Sequence, residues 1–338
     1  MPMESIPLTR SAFVLPFTNV LNEAGAPTVA LLSEFHLPTH LEDKSDCYLP
    51  LFPVLRFVST AELSQGIRDI GFLAGRRLSF ETLTGQSRAL VLHSPTLFVA
   101  LKNVCRFARV EDSSLRVRLI RHEGDLRICY TNIAPRADHM PHLEHAQWIQ
   151  NLMTIYIIRQ FAGPDWAPAT FAFQSLYTPH AETLSRWPRT RFLRGEKTTW
   201  LDIPLEQLSL PIRARCRAPR RSADRVQPID TDFISTFKLM LATYLDEHVP
   251  TIAEAAEILG TSVRSLQREL SHAGLTYTRL LDHIRFEKSA RMLRETDAKI
   301  IDVAYAAGYA SPSHFSRAFH RIAGVTPREF RGKTAHAG

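Results

Sequence analysis

The chain has 338 residues, 45% apolar and 22% charged, with 21 prolines and 14 glycines, an ordinary globular composition with length for two or three domains. Its formal charge of +7 is unevenly placed: residues 1–212 carry 21 Lys and Arg against 20 Asp and Glu, RARCRAPRRSADR at 213–225 carries six arginines against one aspartate, and 233–333 carries 14 against 11. No apolar run approaches the roughly 18 residues that span a bilayer, and MPMESIPLTR lacks the basic-then-apolar order of an export signal, so a cytoplasmic protein without membrane contact is expected.

In the N-terminal region, apolar residues recur at helical spacing over 61–74 (AELSQGIRDIGFLA) and 96–108 (TLFVALKNVCRFA). Residues 115–133 alternate apolar and polar on either side of EGD, which predicts a β-hairpin. A helix follows over 142–161, with Trp148, Ile149, Leu152, Tyr156 and Ile157 on one face, then strands at PATFAFQS (168–175) and TTWLDIP (198–204). This is an α+β domain over 1–212. Cys47, Cys105, Cys129 and Cys216 are scattered with no C-x-x-C pair, which fits free thiols better than a zinc or disulfide framework. The arginine-rich segment, with breaker residues on both sides, marks a linker at 213–232.

From 233 to 332 everything reads as helix. Phe233, Phe237, Met240, Leu241, Tyr244 and Leu245 form one apolar stripe. Thr251 and Glu254 form a capping box, and the helix they open stops at Gly260. Another opens at Ser262 and stops near Gly274, and a long one covers about 276–296. IIDVAYAAG ends on Gly308, Ser311-Pro312 supplies an N-cap with proline in the first turn, and that helix ends near Gly324 before a short final one at TPREF.

Two segments of this region repeat each other. Ile252, Ala255, Ala256 and Gly260 match Ile300, Val303, Ala304 and Gly308; Leu266, Arg268 and Leu270 match Phe315, Arg317 and Phe319. Each copy, 251–272 and 299–322, is helix, glycine turn, helix: the helix-turn-helix unit. In the second helix of each, Val263, Leu266 and Leu270, or Phe315, Phe319 and Ile322, face inward. Arg264, Gln267, Arg268 and Ser271, or Ser313, His314, Ser316, Arg317, His320 and Arg321, remain outside with no acidic residue among them. Arginine pairs bidentately with guanine and glutamine with adenine, and serine or histidine reaches bases or phosphates. One polar helix face alone is what any surface helix shows; two copies, joined by a helix of roughly 30 Å against roughly 34 Å per DNA turn, are more specific.

The segments LGTSVRSLQREL, RLLDHIRFEKSARML and IIDVAYAAGYASPSHFSRAFHRIAGVTPREFR resemble the DNA-binding domain of the AraC/XylS family of bacterial transcription regulators. The resemblance implies double-stranded promoter or operator DNA and RNA polymerase as partners, more often for activation than repression. It puts base-reading positions on Arg264, Gln267, Arg268, Ser313, His314, Ser316 and Arg317, with Ser262 and Arg321 beside them; Pro312 stands where relatives are often polar. Upstream, GRRLSFETLTGQSRALVLHSPTLFVALKNVCRFARVEDSSLRVRLIRHEGDLRICYTN and PLEQLSLPI are similar to the N-terminal domain of ornithine-utilisation-type regulators rather than to the jelly-roll domain of the arabinose regulator. That implies a module that binds a small-molecule effector and takes part in homodimers, with no motif that names the ligand.

HMPHLEH spaces His139, His142 and His145 by three, but Pro141 puts His139 outside the helix and no fourth ligand is suggested, so no metal is expected. No G-x-S-x-G, P-loop or dinucleotide fingerprint occurs, so neither a catalytic site nor a cofactor is expected. An enzyme or transport-like binding domain fused to a vestigial helix-turn-helix pair and a nucleoid architectural protein are the competing classes; base-reading side chains on both helices argue against each.

Overall fold

The computed structural model describes residues 5–44, 46–132, 142–213, 230, 232–245 and 247–335. The arginine-rich linker at 213–232 lies mostly outside them, as does His139. The described residues form two compact units, one within Pro7–Asp230 and the other within Thr231–Gly338, joined there by the N-terminal residues up to Ile6.

The first unit contains strands β1 (Leu8–Arg10), β2 (Tyr48–Pro50), β3 (Leu115–His122), β4 (Asp125–Asn132), β5 (Thr170–Ala172), β6 (Arg191–Leu193) and β7 (Thr199–Pro204). Its helices are α1 (Leu15–Glu23), α2 (Thr28–Glu34), α3 (Leu51–Gln65), α4 (Ile70–Gly75), α5 (Gly85–Leu92), α6 (Leu97–Glu111), α7 (Leu143–Ala162) and α8 (Ala181–Ser185). β1 and β2 pair alone, while the larger sheet runs β3-β4-β7-β5-β6, antiparallel except for the parallel β5–β6 pair. The expected hairpin is β3–β4, turning at Glu123-Gly124 with Glu123 at φ 52°. This mixed arrangement of helices and one five-stranded sheet differs from a jelly roll, which packs eight strands in two sheets.

α7 carries the core. It packs against α3, α4, α6 and β7, so its apolar residues occupy more than the single face expected from the sequence. Trp148, fully buried, meets Phe72, Phe171 and Phe173 at centroid separations of 5.1, 4.9 and 5.1 Å, and a single aromatic cluster thereby ties α4, α7 and β5 together. The helix expected at 61–74 is two helices. α3 ends at Gln65 because Gly66 takes φ 65° and its amide caps the Glu62 carbonyl, and α4 begins only at Ile70. Apolar spacing runs on through the break because both helices face the same core.

The second unit is helical: α9 (Phe233–Tyr244), α10 (Ile252–Ile258), α11 (Val263–His272), α12 (Tyr277–Glu295), α13 (Ile300–Ala306), α14 (Pro312–Ala323) and α15 (Pro327–Ala335). The α9 stripe is buried throughout, and the amide of Ile6 donates to Thr236 Oγ1 at 3.0 Å on that helix. α12 packs against α9, α13, α14 and α15, with Phe286, Leu293, Val303, Phe315, Phe319 and Phe330 meeting in one core around the second repeat. An α+β domain followed by an all-α domain is therefore the architecture of the chain.

Candidate nucleic-acid interface and effector cavity

The two repeats are built by the same devices. In the first, Glu254 receives the Thr251 amide at 2.7 Å while Thr251 Oγ1 accepts from the Glu254 amide at 3.2 Å, which fixes the start of α10. Ala256 is buried, and Gly260 turns the chain at φ 61°. In the second, Ala304 is fully buried and Gly308 turns at φ 76°; a Cβ there would lie 3.1 Å from the Leu245 carbonyl oxygen, so glycine serves both the conformation and the close approach.

On α11, Leu266 and Leu270 are buried, whereas Arg264, Gln267 and Arg268 are exposed. Glu269, the acidic residue of this helix, is turned inward and buried, and Arg268 Nη2 lies 3.5 Å from its Oε1. Ser262 is the N-cap, accepting from the Ser265 amide at 3.1 Å. On α14, Ser311 caps through the His314 amide at 3.2 Å, and Pro312 occupies the first turn. Ser313, His314 and Arg317 are exposed, Ser316 is half-buried, and Phe315 and Phe319 are fully buried. The side chains of Arg264, Gln267 and Arg317 make no hydrogen bond or ion pair among the described residues. Arg321 differs: its Nη2 is held 2.5 Å from Asp282 Oδ2 of α12. It braces the second repeat against the linking helix, and that contact crosses 39 positions of sequence, beyond the reach of local spacing. α12 itself, 19 residues long, spans about 28 Å at roughly 1.5 Å per residue.

The first unit holds a cavity of about 90 Å³. α7 supplies Ile149, Gln150, Met153, Thr154 and Ile157; Phe13, Phe17, Leu51, Val58, Val104, Phe107, Val117 and Tyr130 are among the other walls. The polar groups that line it are mostly engaged already. Tyr130 hydroxyl bonds Thr154 Oγ1, Gln150 Nε2 donates to Asn132 at 3.2 Å, and Glu111 receives Arg10 at 2.7 Å. Asp112, buried and pushed up to about 6 by loss of solvent, receives the amide and hydroxyl of Ser114 at 2.9 and 2.6 Å. The sequence marked Ile149 and Ile157 on the apolar face of α7 but assigned no residue to a pocket, because the lining residues come from at least five elements and share no motif.

Comparison with known proteins places both units. Residues 25–212 match the family model described as the arabinose-binding domain of AraC transcription regulators, N-terminal, and residues 255–333 match a helix-turn-helix domain model. The chain is 24% identical to the HTH-type transcriptional regulator VirS of Mycobacterium tuberculosis, over 97% of this chain and 98% of that one. It is 23% identical to the ornithine utilization regulator of Pseudomonas aeruginosa, over 95% of each. Over 27% of this chain and 34% of the other it is 36% identical to the HTH-type transcriptional activator RhaS of an Enterobacter species. With one model covering more than half of its length and the other the repeated helices, the chain belongs to the AraC family of DNA-binding transcription regulators.

Proposed function

We propose that this regulator is an activator that reads a two-part DNA site through α11 and α14 and answers to an apolar small molecule in the α7 cavity. Arg264, Gln267 and Arg268 would read bases in one major groove, and Ser313, His314, Ser316 and Arg317 those in the next. Ser262, at a helix start, and Arg321, already paired with Asp282, suit phosphate contact better than base contact. The observation that carries this reading is the pair of exposed, non-acidic helix faces presented in two equivalent frames on one linking helix. The activator assignment rests on the likeness to RhaS, which is named an activator, and implies contact with RNA polymerase; a homodimer would present two such pairs.

The effector class follows from the cavity. A sugar needs a hydrogen-bond partner for nearly every hydroxyl, whereas these walls are largely apolar and their polar groups mostly satisfied internally. The matched model's description mentions arabinose, yet a largely hydrocarbon ligand suits these walls better. Affinity of the full-length protein for selected and scrambled DNA, measured at one salt concentration with and without candidate ligands, tests both parts. Specific sites should bind at least 10³-fold more tightly, and apolar ligands but not pentoses should change that ratio. A ratio near one would favour an architectural protein, and a response to pentoses alone would overturn the effector class.

A further inference from the structure

Three metal-ligating side chains converge where α7 begins, and a fourth, from the end of α3, stands beside one of them. His142, the N-cap of α7 at φ 63°, and Glu144 and His145 in its first turn offer ligand atoms that all lie within 4.8 Å of one another. The sequence suggested no fourth ligand, but the fold brings a candidate beside His145. Glu62, in the last turn of α3, places Oε2 3.5 Å from His145 Nε2, and His142 Nδ1 stands 3.7 Å from Glu144 Oε1. Both gaps are too long for good hydrogen bonds. Both are close to the edge of roughly 3.3 Å that separates ligands in a tetrahedron with metal bonds of about 2.0–2.1 Å.

His145 is 2% exposed, and its buried Nε2 has no hydrogen-bond partner among the described residues. A buried imidazole nitrogen left in this state is costly unless something else occupies its lone pair. Glu62 is oriented to help: its Oε1 accepts from the Ile70 amide at 3.1 Å, leaving Oε2 as the atom beside His145. The rings of His142 and His145 stack at 15° with centroids 6.3 Å apart.

We propose that His142, Glu144, His145 and Glu62 bind a divalent transition-metal cation of the zinc class. Two imidazoles with two carboxylates favour such an ion over calcium or magnesium, which take oxygen ligands. His145 also lines the cavity, so the ion would pin one wall of it to α3.

The test uses untagged full-length protein, stripped with a chelator and titrated with zinc by calorimetry, with bound metal counted by mass spectrometry. One equivalent should bind, and His142→Ala and Glu144→Gln, both at partly exposed positions, should each weaken it by at least about tenfold with melting curves unchanged. The pair Cys47→Ser and Cys105→Ser should leave it intact. Absence of a stoichiometric equivalent overturns the site, as does binding that survives both ligand substitutions or is lost with the cysteines.

Discussion

Asp112 and Arg10 show how single buried charges tie the N-terminal unit together, and each makes a measurable claim. Asp112 rises from the ordinary 3.8 to about 6 on folding, because burial outweighs its bonds from Ser114. An acid raised in this way favours the fold while neutral: that contribution is complete below about 3.8 and is lost as pH climbs through about 6. Asp112→Asn, neutral at every pH, should therefore be at least as stable as wild type at pH 7.5, by up to about 3 kcal/mol at roughly 1.4 kcal/mol per unit, and should lose that advantage by pH 4. Thermal melting across that range measures it, and parallel curves for the two proteins would contradict it. Arg10 is 2% exposed and bonds Glu111 at 2.7 Å, Asp46 at 2.6 Å and the Thr82 carbonyl at 2.9 Å. Arg10→Ala strands Glu111 in the interior and should cost about 3–5 kcal/mol, partly recovered by adding Glu111→Gln. Denaturant unfolding of the single and double variants reports this, and an equal loss in both would show that the ion pair is not the cause. Neither charge network was legible in the sequence. Arg10 and Glu111 are 101 positions apart, and Glu62 likewise meets His145 on a distant helix.

Among the elements, legibility followed burial geometry. α9 to α15 were readable because each is capped by its own Ser, Thr or Asp or followed by a positive-φ glycine, and is apolar on one side only. The hairpin β3–β4 was readable for the equivalent reason: Arg116, Arg118 and Thr131 are exposed beside buried Leu115, Val117 and Tyr130, so polar and apolar residues alternate. α1, α2, α5, α8, β1, β2 and β6 went unread, being short segments whose apolar runs suit helix and strand alike. α4 shows what periodicity cannot contain. A Cβ on Gly71 would sit 2.9 Å from the His145 Cα, and one on Gly75 would sit 2.4 Å from Leu152 Cδ1. Those glycines let α4 lie directly on α7. Gly71→Ala must push the two backbones apart and should cost about 1–3 kcal/mol, seen as a lower melting temperature. An unchanged melting temperature would mean that α4 relaxes freely and does not position α7.

At the scale of the molecule, the sequence repeat carried the function, because both copies lie within one unit and need only local signals to be seen. We expect a fragment of residues 226–338 to fold and bind DNA by itself, since both repeats, α12 and their caps lie inside it. It lacks Ile6, which is buried and bonds Thr236, so it should melt somewhat below a version that restores the N-terminal residues. Circular dichroism decides this, and an unfolded fragment would sink the division into a sensing and a reading unit. The central claim is that α11 and α14 each read their own bases. Selection of binding sites from random double-stranded DNA, run in parallel with wild type, Arg268→Ala and Arg317→Ala, tests it most directly. Wild type should select two blocks about one helical turn apart. Arg268→Ala should lose preference in one block and Arg317→Ala in the other, each by about 1–3 kcal/mol per base contact. Identical preferences in all three proteins, with both variants merely binding every sequence more weakly, would contradict the account and reduce these arginines to phosphate contacts.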